Sequence, residues 1–151
     1  MTTGAWIAAT AVVLALGFGL WRAGTDGRFS GTHAVRRHAG ADAAPPAATP
    51  AGAELVAAVG RQLGERATLL QFSSAFCAPC RSTRRVLGEV TGLVEGVAHV
   101  EVDAEHHLDA TRAFGILRTP TTVVLDASGA EVTRATGAPT RDQVLSALAF
   151  T

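Results

Sequence analysis

Two cysteines, Cys77 and Cys80, stand one helical turn apart and are the only thiols in 151 residues. No other thiol is present from which a structural disulfide framework could be built, so the fold must rest on a packed core. Upstream, Thr68-Leu69-Leu70-Gln71-Phe72-Ser73 reads as a short apolar strand. Downstream, Arg81 to Val94 reads as a helix, with Val86, Leu87, Val90 and Val94 at the three- and four-residue spacings of one buried face. The cysteine pair therefore sits where a strand hands over to a helix.

That position has chemical consequences. Backbone N–H groups in the first turn of a helix lack intrahelical partners, and the macrodipole adds partial positive charge there. A thiolate at Cys77 is expected to be stabilised, with a pKa below the ordinary value of about 8.5. Cys80, one turn further in and less exposed, is placed to attack a mixed disulfide formed at Cys77. Cys77 is thus the candidate nucleophile and Cys80 the resolving thiol. Pro79 suits a first helical turn, where its missing N–H costs nothing and its fixed φ pre-organises the turn. Ala78 leaves the nucleophile uncovered.

The remaining pattern predicts a helix over Glu54 to Leu63, a strand over Leu69 to Ser73, a helix over Cys77 to Gly92 and a strand over Val97 to Asp103. A helix over His106 to Phe114, strands over Thr121 to Leu125 and Glu131 to Ala135, and a helix over Arg141 to Phe150 follow. Strands interleaved with helices and closing in a hairpin give an α/β fold, a mixed sheet with helices on both faces.

Phe76-Cys77-Ala78-Pro79-Cys80-Arg81, followed some forty residues later by Gly115-Ile116-Leu117-Arg118-Thr119-Pro120-Thr121, resembles the thioredoxin family. Val100-Glu101-Val102-Asp103, the turn at Ala127-Ser128-Gly129-Ala130-Glu131, and Gly137 also stand where that family has such features. The resemblance covers residues 53–151 and implies a thioredoxin-like fold. It further implies a cis bond before Pro120, packing of Pro120 against the active-site cysteines, and a backbone at Thr119 that pairs with a substrate peptide. Phe76 takes the place of the family's usual tryptophan, keeping an aromatic wall without the indole N–H. Gln71 corresponds to a buried aspartate that many members carry beneath the second cysteine, and His99 to its lysine companion. An amide cannot take up a proton as a carboxylate can, so deprotonation of Cys80 is expected to rely on water, on His99, or on neither.

The chain before this domain has a different character. From Gly4 to Trp21 there is no charge, and Trp6 and Trp21 stand near the ends, where interfacial aromatics belong. Residues 1–21 as a helix span about 31 Å, close to the hydrocarbon thickness of a bilayer, and are expected to form a single transmembrane anchor. The flanks suit a cleaved signal peptide less well: Met1-Thr2-Thr3 has no basic residue, and Trp21-Arg22-Ala23-Gly24 is a poor cleavage site. Arg22, Arg28, Arg36 and Arg37 follow the helix and none precedes it, which places the domain on the cytoplasmic face. The resemblance pulls the other way, since many anchored relatives act on the outer face. Residues 22–52, basic and then Ala/Pro-rich, are expected to be a mobile tether containing no good first strand.

Composition narrows the chemistry. Net charge is zero and hydrophobic residues make up 48%, so neither a disordered chain nor a strongly nucleic-acid-binding one is expected. All 13 basic residues are arginine, which excludes Schiff-base and lysine-relay enzymes. The expected activity is thiol-disulfide oxidoreduction, most directly reduction of disulfides in partner proteins. No cofactor is expected. With no flavin or nicotinamide site in the sequence, regeneration requires an external reductant, of the thioredoxin-reductase type or a membrane thiol donor. The competing readings are an extracytoplasmic oxidase or isomerase, a non-enzymatic adaptor of the same fold, and a metal carrier. In the last, His99, His106 or His107 would have to complete a zinc site begun by the cysteines.

Overall fold

Alternating β-branched and apolar residues build the sheet that carries the cysteines. The computed structural model describes residues 3–31 and 50–151. In chain order these form helix α1 (Thr3–Thr25), strand β1 (Phe29–Gly31), helix α2 (Ala51–Ala58), strand β2 (Ala67–Ser73), helix α3 (Ala78–Thr91) and strand β3 (Val97–Asp103). Helix α4 (Leu108–Ala113), strands β4 (Thr121–Asp126) and β5 (Glu131–Thr136), and helix α5 (Arg141–Leu148) complete the fold. The sheet order is β1-β5-β4-β2-β3. Only β2 and β3 are parallel, joined across α3, and the remaining neighbours are antiparallel.

Because successive side chains on a strand point to opposite faces, β2 feeds two cores. Leu70 and Phe72 pack with Val100, Val102, Val123, Leu125, Phe114 and the α2 residues Leu55 and Val56. Ala67 and Leu69 pack on the other face with Leu87 and Val90 of α3 and Val144, Ala147 and Leu148 of α5. Helices thus cover both faces, and α3, with the cysteines at its head, is clamped by its buried stripe. The fully buried Phe72 ring lies 5.5 Å from that of Phe114. Truncation here leaves a cavity at the centre of the first core, so Phe72→Ala is expected to cost about 3–5 kcal/mol. Equilibrium urea unfolding followed by circular dichroism measures it, and a cost under about 1 kcal/mol would contradict this packing.

Several expectations from the sequence are corrected. A first strand is present: Phe29 to Gly31 pair with Ala135 to Thr133 at the edge of the sheet. It is held by backbone ladder bonds, which local composition does not reveal. The first domain helix is α2, starting at Ala51 rather than Glu54, because Gly52 lies tight against Leu125 and the backbone of Gly129. The helix expected over His106 to Phe114 is trimmed to α4, with His107 as N-cap. The expected tether is not continuous, since residues 26–31 lie against the domain. Residues 32–49, the greater part of that tether, lie outside the described residues.

Helix α1 is longer at its C-terminal end than the expected anchor. Trp6, Ile7, Leu14, Leu16, Phe18, Leu20 and Trp21 are each more than half exposed. Among the described residues no helix is long and apolar enough to cross a membrane.

Candidate active site at the head of α3

β2 ends at Ser73 and delivers the chain through Ser74, Ala75 and Phe76 into the first turn of α3. Cys77 is the N-cap residue in extended conformation, and Pro79 falls in the first turn. The backbone N–H of Cys80 donates to Cys77 Sγ at 3.1 Å. The same N–H also reaches the Cys77 carbonyl at 3.2 Å, so a first-turn donor is shared between that oxygen and the sulfur. The two sulfurs are joined in a disulfide, with the Cα atoms 5.2 Å apart. Cys77 is 8% exposed and Cys80 2%, so the pair meets solvent only along an edge of Cys77. Ala78 and Pro79 are exposed. Phe76 is fully exposed. It stands out from the turn beside Cys77.

The second loop sits beside the first. Phe72 lies opposite Thr121 in the sheet register, which brings the residues before Thr121 to the same sheet end as Ser73 and Ser74. The Oγ atoms of Ser74 and Thr119 are 3.0 Å apart. The Thr119–Pro120 bond is cis. Pro120 is buried, and its carbonyl accepts from the Gly137 N–H at 2.8 Å. Among the described residues no backbone group engages the N–H or C=O of Thr119.

Behind Cys80 lies a polar cluster that sequence reasoning saw only in fragments. Gln71 is fully buried. Its Nε2 donates to the Cys80 carbonyl at 3.0 Å and to Ser73 Oγ at 2.7 Å. Because a carbonyl only accepts, the amide orientation is fixed. Its Oε1 therefore faces His99 Nε2, 3.1 Å away, which must carry a proton. His99 is half-buried on β3, and Gln71 lies between it and Cys80. Glu101, opposite Gln71 in the β2–β3 register, takes a bidentate pair from Arg84 at 2.6 and 2.7 Å. The sequence shows Glu101 only as the polar partner between Val100 and Val102. Arg84 reaches across from α3 to it.

The cluster has a pH signature. Burial pushes the His99 imidazole below its ordinary 6.5, the Glu101 charge opposing this without reversing it. Burial also works against the Glu101 charge, but the bonds from Arg84 and Ser73 and the Arg84 and His99 charges together hold its carboxyl below the ordinary 4.5. In both cases the unfolded chain binds protons first on acidification. Stability is therefore full above about pH 6.5, falls as His99 is forced to charge, and falls again below about pH 4.5 as Glu101 is neutralised. Replacing His99 by glutamine should flatten the upper part of this decline in urea titrations at pH 7.5 and 5.5. An unchanged slope would show that His99 does not sense burial.

His106 Nδ1 pairs instead with Asp103, at 2.8 Å. Among the described residues no three His, Cys, Asp or Glu side chains are grouped as metal ligands. What the sequence reading missed was Ser74, a contact to Thr119 with no motif of its own, and the reach of Arg84 to Glu101.

The thioredoxin-like domain family matches residues 56–151. Among solved structures, the fold is similar to a mutant thioredoxin from Halobacterium salinarum NRC-1, at 20% identity over 58% of this chain and 76% of that one, with a TM-score of 0.53. It is likewise similar to the thioredoxin of Fasciola hepatica, at 20% identity, 65% and 89% coverage and a TM-score of 0.53. A reduced Schistosoma mansoni thioredoxin pre-protein gives 18%, 65%, 88% and 0.52. At these identities the likeness to solved structures is one of fold. No curated protein sequence matches the chain.

Proposed function

The chain belongs to the thioredoxin family, and from that premise we propose that it is a membrane-tethered thiol-disulfide oxidoreductase that reduces disulfides in partner proteins. The observation that carries the reading is the cysteine pair at the head of α3, bonded sulfur to sulfur, with the Cys80 N–H on Cys77 Sγ. The reduced pair acts first through Cys77. Its thiolate, held by that N–H and the helix end, attacks one sulfur of the partner's disulfide, and the other sulfur leaves as a thiolate and is protonated. Cys80 then loses its proton to water and attacks Cys77 Sγ, displacing the first partner sulfur. The partner gains two electrons and two protons, and Cys77 and Cys80 end as the disulfide. A dithiol donor outside this chain returns the two electrons.

The unengaged backbone of Thr119, beside Ser74 at the same sheet end, offers a short edge on which an extended partner segment adds as a strand. Helix α1 is the anchor. Its described apolar side chains face outward all round, and burial in lipid removes such a surface from water. Arg22 in the last turn of α1 and Arg28, Arg36 and Arg37 beyond it favour a cytoplasmic domain, and in that compartment reduction is the favoured direction.

Insulin-disulfide reduction tests this. With dithiothreitol as donor, the full chain in detergent is expected to bring forward the onset of insulin B-chain turbidity. A time course identical to dithiothreitol alone would leave the fold as a binding surface only.

A further inference from the structure

The segment after α1 is built into the rim of the active site. Asp26 closes the helix end through its N–H on the Arg22 carbonyl at 2.9 Å. Its carboxylate pairs with Arg118 Nη2 at 2.8 Å, and the same nitrogen donates to the Thr136 carbonyl at 3.2 Å. Arg118 immediately precedes Thr119. The Gly27 N–H donates to that Thr136 carbonyl at 2.9 Å, and β1 then pairs along β5. Two glycines make the approach possible. Gly27 has φ +73°, and a Cβ there would run into the Ala138 carbonyl. Gly137 has φ +96°, and a Cβ there would meet the Asp26 carboxylate. Gly137 also donates to Pro120, so one residue touches both the end of α1 and the cis-proline loop.

We infer that this docking latches the redox mouth to the membrane end of α1, so that the protein acts on partners whose disulfide lies at the membrane surface and cannot reach far from it. The inference rests on the reading of α1 as an anchor and of Cys77–Cys80 as a redox pair. The ion pair alone cannot supply the latch, since Asp26 and Arg118 are 40% and 45% exposed and such pairs contribute little. The backbone bond at Gly27, the β1 ladder and the close-fitted glycines hold the segment even when the ion pair is screened. No slack therefore lies between α1 and the domain.

The test uses the full chain, reduced and then freed of reductant, in phosphatidylcholine vesicles containing phosphatidylglycerol. The probe is a transmembrane peptide bearing a disulfide-closed loop, placed either at the bilayer surface or on a polyproline spacer of about fifteen residues, roughly 45 Å long. Single-turnover reduction of the surface loop is expected to be at least about tenfold faster than that of the raised loop, as effective concentration collapses when a connection cannot span two sites. A Gly/Ser insert of about seventy residues between Thr25 and Asp26, with an r.m.s. reach of roughly 46 Å that matches the height of the raised loop, should bring the two rates within about twofold. It should leave reduction of the same loop as a soluble peptide unchanged. Equal rates at both heights in the parent chain, or a height preference that survives the insert, would overturn the latch. Failure to reduce the soluble loop would instead remove the redox reading, and failure of the chain to float with vesicles would remove the anchor.

Discussion

Replacing Cys77 by serine is expected to lower disulfide reduction by at least about 10³-fold, to the rate of dithiothreitol alone, as removal of a covalent nucleophile does elsewhere. The expectation follows from position. Cys77 is the N-cap of α3, its sulfur accepts the Cys80 N–H, and it is the more exposed of the two residues. Serine can also cap this helix and accept the same N–H, so the loss should come without a loss of fold, which circular dichroism of the same sample checks. With the chain's only other thiol at Cys80, 2% exposed, no neighbour can substitute. Residual activity within about tenfold of the parent would move the nucleophile elsewhere.

Cys80→Ser should have the opposite appearance. The first attack needs only Cys77, whereas release needs a second sulfur one turn further along α3. Removing it leaves the partner bound through Cys77. On mixing with a disulfide-containing protein, the variant should pass from no adduct to nearly one adduct per chain, visible on a non-reducing gel and assigned to Cys77 by peptide mass. Reductant should release it. Because the Cys80 carbonyl, rather than its side chain, receives the Gln71 amide, serine leaves the cluster behind α3 in place. Absence of an adduct, or turnover equal to the parent's, would contradict the division of labour between the two cysteines. The same trap, applied to cell extracts, identifies partner proteins by their adducts.

How much of this was legible in the sequence depends on whether local pattern or distant contact holds each part. Strand β3 begins and ends where alternation around Val100 and Val102 places it, and α3 begins where Cys77 and Pro79 mark a first turn. Strand β1 was not legible. Three residues, Phe29 to Gly31, carry no periodicity, and their pairing with β5 is made by backbone atoms over a hundred positions away along the chain. The start of α2 was hidden because Ala51, Gly52 and Ala53 continue a run that reads as linker, and only packing of Gly52 on β4 and the following turn makes it helical. In the site, the two cysteines announce themselves by spacing, and Thr119-Pro120 by the resemblance to the thioredoxin family. The Gln71–His99 contact and the Arg84–Glu101 pair exist only because β2 and β3 lie in register beneath α3. Phe76, assigned by resemblance, lies fully in solvent beside the pair.

The most direct measurement is a single-turnover stoichiometry. The full chain, reduced and freed of reductant, is mixed with a peptide closed by one disulfide, quenched in acid at intervals, alkylated and weighed. Peptide dithiol should appear one for one, and in step, with the Cys77–Cys80 disulfide, through a transient chain–peptide adduct at Cys77. Peptide that stays closed while a small oxidant such as diamide still joins Cys77 to Cys80 would show a pair that forms its own bond but exchanges it with no partner.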